Sequence, residues 1–109
     1  MLETDFKFND VKVLADQVVA SDDKVQFRGV LNSHHGGVSL LAFKAGQKLD
    51  EHLAPAELMV TVLSGEINFN IGSTPHNIKA GEFMLVGAGV AHSVEAVADS
   101  KVMLIKVKA

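Results

Sequence analysis

The sequence of residues 57–71 reads ELMVTVLSGEINFNI, and it predicts two consecutive β-strands with a turn between them. Residues 57–63 are dominated by apolar and β-branched side chains, which favour extended structure. Residues 67–71 alternate apolar and polar side chains, a pattern typical of a strand with one buried and one wet face. The Ser-Gly-Glu sequence at 64–66 is a turn signal. This stretch therefore favours β-structure over helix.

Short apolar runs of the same kind recur on both sides of this stretch. Glycine-containing turn signals separate them, as at 36–37, 45–46 and 80–81. Turn signals that arrive roughly every eight to twelve residues are typical of a β-sandwich or barrel. We therefore expect an all-β fold, with further strands at residues 25–31, 38–43, 83–86, 92–97 and 102–107.

Residues 10–20 leave two interpretations open. Val11, Leu14, Ala15 and Val18 keep the spacing of one face of a helix. The segment is short, however, so the sequence alone does not separate a helix from a strand here.

The length and composition of the chain indicate one domain over residues 1–109. The chain has 109 residues, of which 48% are hydrophobic, so it can bury a core without disulfides or structural metals. It contains no cysteine, which excludes disulfides, thiolate catalysis and cysteine-based zinc sites. Tyrosine and tryptophan are also absent, which argues against a flat aromatic platform for sugars.

The distribution of charge argues against a nucleic-acid partner. The formal net charge is −3 and the lysines are scattered, whereas phosphate binding needs a clustered basic surface. Residues 1–5 are acidic and lack the apolar run of a signal peptide. The longest apolar runs, such as 38–43, are far too short to span a bilayer. We therefore expect a cytoplasmic location and no membrane partner.

Some of the predicted strands are apolar on both faces. Residues 38–43 carry apolar side chains at both strand parities, and residues 58–63 do the same. Such a strand is usually covered on both sides. The second cover can come from another part of the chain, such as a second sheet or the N-terminal segment, or from a second subunit. Because large exposed apolar patches are rare on monomers, we expect a homodimer.

The side chains best suited to chemistry are the five histidines: His34, His35, His52, His76 and His92. A lone histidine is more often a hydrogen-bonded structural residue than a ligand, so the question is whether any two belong together. His52 and His92 each lie near glycine-marked turns beside a predicted strand. Neutral imidazole is a good metal ligand and titrates near neutral pH, which makes this pair the leading candidate.

Two glycine–histidine spacings support that choice. A glycine precedes one histidine by six residues and another glycine follows it by thirteen, at Gly46, His52 and Gly65. A second set ends on the other histidine, at Gly81, Gly89 and His92. In spacing and in strand pattern, residues 38–107 resemble the cupin family. The resemblance implies a jelly-roll β-barrel (a double-stranded β-helix) whose pocket can hold a divalent metal on three histidines and one glutamate.

The sequence departs from the family pattern at two of those four ligand positions. Ala54 stands at the second histidine position and Leu58 at the glutamate position, so His52 and His92 alone remain as implied metal ligands. The implied cofactor is one divalent transition metal (zinc, nickel, copper, iron or manganese), or none if both histidines only form hydrogen bonds. Magnesium and calcium fit poorly, because they prefer oxygen ligands.

Neighbouring acidic residues do not easily replace the missing ligands. Glu51 and Glu57 each lie one residue from a ligand position, and Glu95 lies three residues from His92. In a regular strand these spacings turn a side chain to the opposite face. A β-bulge could re-aim any of them.

Three functions stay open at this point. The first is a binding module that holds a small-molecule ligand in a pocket lined by aliphatic side chains and histidines. The second is a metal-dependent enzyme that acts on a small polar metabolite. The third is a structural or regulatory dimer with a vestigial pocket. Because a catalytic metal usually has three protein ligands, the loss of two positions favours the binding module over the enzyme.

Overall fold

A computed structural model describes residues 2–108. Across these residues β-strands predominate, and the only helical element is a single short 3-10 helix. In chain order the elements are the 3-10 helix (Leu14–Gln17), β1 (Gln26–Ser33), β2 (Gly36–Phe43), β3 (Lys48–His52), β4 (Glu57–Ser64), β5 (Glu66–Ile71), β6 (Thr74–Lys79), β7 (Phe83–Val86), β8 (His92–Ala96) and β9 (Ser100–Val107).

The strands form two antiparallel sheets. The five-stranded sheet has the order β1-β2-β9-β4-β7, and the four-stranded sheet has the order β3-β8-β5-β6. Strands that follow one another in sequence often lie in different sheets, as β4 and β5 do, so the chain winds between the two layers. The expected all-β jelly-roll fold is confirmed.

Aliphatic and phenylalanine side chains fill the space between the sheets. In β5, Ile67 and Phe69 are buried in this core, and Asn68 and Asn70 lie on the other face, as the alternation predicts. Phe43 of β2 is fully buried in the same core. Burying each such side chain contributes about 1.5–3 kcal/mol, so the core residues stabilise the barrel around the pocket.

Two strands, β3 and β6, lie where the sequence predicts none. Both are at the edge of the four-stranded sheet and are largely exposed, so neither carries a strong apolar alternation. Pro75 is tolerated in β6 because an edge strand can lack one backbone donor. Within residues 2–108, no helix has the length and apolar character needed to cross a membrane.

The structure of residues 10–20 decides between the helix and the strand that the sequence leaves open. The segment is neither a full helix nor a strand, because only Leu14–Gln17 is helical. Val18 packs against Leu40 and Ala42, on the face of β2 that points away from the barrel interior. The N-terminal segment thus supplies part of the second cover that β2 requires.

Candidate functional site

The pairing of β3 with β8 brings the two candidate histidines together. His52 and His92 are direct cross-strand partners. The register shifts between Leu49 and His52, where β3 has one residue more than β8. Regular alternation from Leu49 would turn His52 out of the barrel, but this bulge returns it to the inner face beside His92.

The two imidazole rings meet edge to face. Their centroids lie 4.3 Å apart at an interplanar angle of 68°. The Nε2 atoms of His52 and His92 are 3.1 Å apart. The two nitrogens that would bind a metal or share a proton therefore face each other at hydrogen-bond distance.

Backbone carbonyls set the tautomer of both rings. His52 Nδ1 lies 2.7 Å from the carbonyl oxygen of Asp50, and His92 Nδ1 lies 3.0 Å from that of Val90. A carbonyl oxygen can only accept, so each Nδ1 must carry the hydrogen and donate it. In the neutral rings both Nε2 atoms then present lone pairs to each other. Two facing acceptors are stabilised only when a proton or a cation lies between them.

The environments of the two histidines differ. His92 is 3% exposed and stacks on Phe69, with ring centroids 4.8 Å apart, whereas His52 is exposed at the edge strand. Burial lowers the pKa of His92 below the ordinary histidine value; the hydrogen bond to the Val90 carbonyl opposes this shift, and positive charge on His52 adds to it. The neutral, metal-binding form of His92 is therefore favoured at neutral pH.

The histidines line a half-open cavity of about 450 Å³. One side of it, here the histidine wall, consists of His52 and His92. On the side formed by the five-stranded sheet, the aliphatic side chains, here the aliphatic wall, are Leu41, Leu58 and Leu104. The remaining lining residues are Phe27, Ser39, Leu49, Asp50, Leu53, Ala54, Pro55 and Lys106.

The fit of this site to a metal ion rests on the histidine pair. Two nitrogens 3.1 Å apart can each lie about 2.0–2.1 Å from a common point, which is a typical zinc–nitrogen distance. The hydrogen bonds from both Nδ1 atoms to carbonyls are the outer contacts that metal-binding histidines usually make. No group of three or more His, Asp or Glu side chains suited to a metal occurs within residues 2–108. The donor set therefore fits a two-nitrogen site with open positions.

The remaining candidates lie outside the cavity. His34 and His35 lie at the exposed end of the β1–β2 hairpin, and His76 is exposed on β6. Glu57 points away from the pocket, as its parity predicts, and its Oε2 accepts a hydrogen bond of 2.8 Å from the backbone N–H of Ala88. Of the five histidines, only His52 and His92 line the pocket.

Two kinds of functional group at this site are not predicted from the sequence. Backbone carbonyls, such as those of Asp50 and Val90, leave no side-chain signal to find. Lys106 does leave one, because it follows Val102 and Leu104 at the same parity of β9 and so points into the barrel. Lys106 lines the cavity, and none of the ion pairs among residues 2–108 includes it.

Comparison with known proteins agrees with the fold. Residues 39–108 match the family model of the cupin domain. A conserved protein of unknown function from Streptococcus pyogenes superposes with a TM-score of 0.87 at 25% identity, covering 95% of this chain and 91% of that one. No curated protein matches the chain.

Two further solved structures are similar. A cupin superfamily protein from Desulfitobacterium hafniense DCB-2 has a TM-score of 0.88 at 17% identity and covers 100% of this chain and 99% of its own. A cupin 2 conserved barrel domain protein from Leptotrichia buccalis has a TM-score of 0.83 at 32% identity. The match to the second covers 87% of this chain but only 46% of that protein, which is about twice as long.

Proposed function

The chain belongs to the cupin family, and we propose that it is a binding module that holds a small molecule in its barrel pocket, with a divalent transition metal on His52 and His92. The observation that carries the proposal is the 3.1 Å separation of the two Nε2 atoms, each in a ring whose Nδ1 donates to a carbonyl. A metal ion between the two lone pairs relieves the contact between facing acceptors. It also leaves coordination positions that a ligand can fill.

The composition of the pocket defines the class of small molecule. A volume of about 450 Å³ lies within the range of pockets that hold small ligands. The aliphatic wall favours a hydrocarbon portion, because polar groups would lose hydration there without gaining a partner. Lys106 and the histidine wall favour a carboxylate or a similar anionic head group. The proposed ligand is thus a small molecule with an aliphatic body and an anionic, metal-binding head.

A metal-dependent enzyme is a second candidate, favoured by the exposed position of His52 at the pocket opening. When bound, a divalent transition ion would act as a Lewis acid toward a substrate oxygen. The chain itself supplies two ring nitrogens, one lysine and an aliphatic surface that excludes water. Turnover in the presence of a metal, measured against the same protein without it, would favour the enzyme over the binding module.

Calorimetric titration of the metal-free protein with Zn²⁺ and Ni²⁺ tests the metal site. We expect one equivalent to bind, and we expect His52→Ala to weaken binding by about 100-fold because one nitrogen alone chelates poorly. His76→Ala is the matched control, since His76 is exposed outside the pocket. Unchanged affinity in His52→Ala, or equal losses in both variants, would contradict the proposal.

Thermal unfolding with a series of short aliphatic carboxylates tests the ligand class. We expect the zinc-loaded protein to be stabilised by a carboxylate more than by the primary amide of the same length. Lys106→Met should reduce that preference, while Lys108→Met, two residues further along and outside the pocket lining, should keep it in full. Equal stabilisation by acids and amides in the unmodified protein would reject an anionic ligand.

A further inference from the structure

A tight turn between β7 and β8, here the glycine turn (residues 87–90), lies directly before the buried His92. The carbonyl oxygen of Gly87 accepts a hydrogen bond of 3.4 Å from the backbone N–H of Val90, which closes the turn. Gly89 has a φ of 74°, which glycine adopts without steric cost at the third position of such a turn. The carbonyl oxygen of Val90 then accepts the Nδ1 hydrogen of His92 at 3.0 Å. The orientation of the His92 ring therefore depends on the conformation of the turn.

The segment that follows His52 holds the glycine turn from outside. The carbonyl oxygen of Ala54 accepts a hydrogen bond of 2.8 Å from the backbone N–H of Gly89. Glu57 Oε2 accepts one of 2.8 Å from the backbone N–H of Ala88. Together with the bond inside the turn, these contacts occupy three consecutive N–H groups. Of the three acceptors, only that of Glu57 belongs to a side chain, so a substitution can remove it without altering the backbone.

Hydrogen bonds, rather than packing, set the conformation of the glycine turn. Gly87, Ala88 and Gly89 are exposed, and a Cβ atom added to Gly89 would meet no other atom within 4 Å. Two glycines also lose more conformational entropy on ordering than other residues would. A carboxylate acceptor forms a stronger hydrogen bond than a neutral one. The contact from Glu57 is therefore an important restraint on this part of the chain.

Glu57 does not touch the pocket itself. It precedes Leu58 in β4, and Leu58 faces the barrel interior, so the Glu57 side chain points to the opposite face. Glu57 is also not among the residues that line the cavity. Its connection to the site runs through the Ala88 amide and the Val90 carbonyl to the ring of His92. Any effect of Glu57 on the histidine pair is thus indirect.

We propose that Glu57 is a positioning residue for the histidine pair, an inference that rests on the proposed two-histidine site. Its carboxylate holds the glycine turn so that the Val90 carbonyl keeps the hydrogen of His92 on Nδ1 and its Nε2 lone pair toward His52. Without this contact the turn is free to rotate the Val90 carbonyl away. The ring of His92 then carries its hydrogen on Nε2 in part of the population and donates it to His52. That fraction has lost the lone pair that binds a metal.

Long-range proton–nitrogen correlation spectra of the metal-free protein test the positioning role. We expect His92 to be protonated at Nδ1 in the unmodified protein and to show a mixture of both tautomers in Glu57→Ala. Glu57→Gln should restore the Nδ1 form, because its amide oxygen can still accept from the Ala88 N–H. The matched control is Glu82→Ala, since Glu82 Oε1 also accepts a 2.8 Å hydrogen bond from a backbone N–H, that of Lys79, in a turn outside the pocket lining.

Zinc titration of the same four proteins provides the second readout. Glu57→Ala should bind Zn²⁺ about 10-fold more weakly, as expected when an outer contact of a metal-binding histidine is lost. Glu57→Gln and Glu82→Ala should bind it nearly as the unmodified protein does. An unchanged His92 tautomer in Glu57→Ala, or an equal change in Glu82→Ala, would overturn the positioning role. If the unmodified protein binds no zinc, the proposed metal site fails, and the tautomer of His92 in the metal-free variants still decides the role of Glu57.

Discussion

The two walls of the pocket differ in their position in the sheets and in their role. The histidine wall lies on edge strand β3 and its neighbour β8, where a bulge and two carbonyls aim both Nε2 atoms at one point. The aliphatic wall lies on β2, β4 and β9, which are central strands of the other sheet. The histidine pair thus lies at a sheet edge, where the backbone geometry can deviate from a regular strand. The leucines that pack the core lie on the central strands of the other sheet.

This difference accords with apolar residues at the two positions where the family resemblance implies further metal ligands. Leu58 is 4% exposed and belongs to the core, so an apolar residue there stabilises the fold. The histidines keep their orientation through β3 and β8 and do not depend on Leu58 or Ala54 for it. The barrel thus combines apolar packing on one wall with two facing histidine nitrogens on the other.

Restoring the implied ligands should have the largest effect. In the double variant Ala54→His with Leu58→Glu, we expect Zn²⁺ affinity to rise at least roughly 1,000-fold, since four-ligand sites bind zinc far more tightly than two-ligand ones. The metal-free variant should be less stable than the unmodified protein, because it buries a carboxylate in place of a leucine. Competition with a chelator of known affinity measures the gain.

The control for that variant replaces Leu58 by glutamine in the Ala54→His background. Glutamine matches glutamate in shape but does not supply a charged oxygen. A gain as large as that of the glutamate variant would mean that Leu58 does not face the metal site. No gain in either variant would show that the two walls do not meet at a common point.

Leu58→Ala tests the aliphatic wall as a source of stability. We expect the free energy of unfolding to fall by about 3 kcal/mol, because the change opens a cavity in the core. Zn²⁺ affinity should change little, since no metal ligand is lost. Urea unfolding and zinc titration of the same sample measure both quantities. A large loss of zinc affinity with little loss of stability would contradict the prediction, because it would mean that Leu58 supports the metal site more than the core.

Much of the fold can be predicted from the sequence, because apolar alternation and glycine turns mark the central strands. The edge strands β3 and β6 cannot, since they bury too little to leave a pattern. The pairing of His52 with His92 follows from the motif spacing, which is a property of the fold family. The bulge that aims His52 is set by the hydrogen-bond register with β8, and single-residue parity does not reveal it.

The two histidines themselves should differ in their effect on stability. We expect His92→Ala to lower the free energy of unfolding by about 2 kcal/mol, because His92 is buried and stacked on Phe69. His52→Ala should cost no more than about 0.5 kcal/mol, since His52 is exposed. Denaturant unfolding of the metal-free proteins checks this; equal costs would indicate that His52 is also part of the packed core.

The pH dependence of stability should show the smallest effect. Burial lowers the pKa of His92 in the folded protein, so the unfolded chain takes up a proton at higher pH than the folded one. The contribution of this group is therefore present above the ordinary histidine pKa of about 6.5 and is lost as the pH falls below it. Unfolding of metal-free protein between neutral and mildly acidic pH should show this loss, and His92→Asn should reduce it. An unchanged pH profile in His92→Asn would assign the loss to other groups.

In the proposed site, both Nε2 atoms converge on one metal while both Nδ1 atoms donate to carbonyls. Long-range proton–nitrogen correlation spectra of ¹⁵N-labelled protein test it directly. With one equivalent of Zn²⁺, we expect the Nε2 resonances of His52 and His92 to shift together and both rings to stay protonated at Nδ1. A shift in only one ring, or a hydrogen on Nε2 of either ring in the zinc-loaded protein, would contradict a metal site shared by the two histidines.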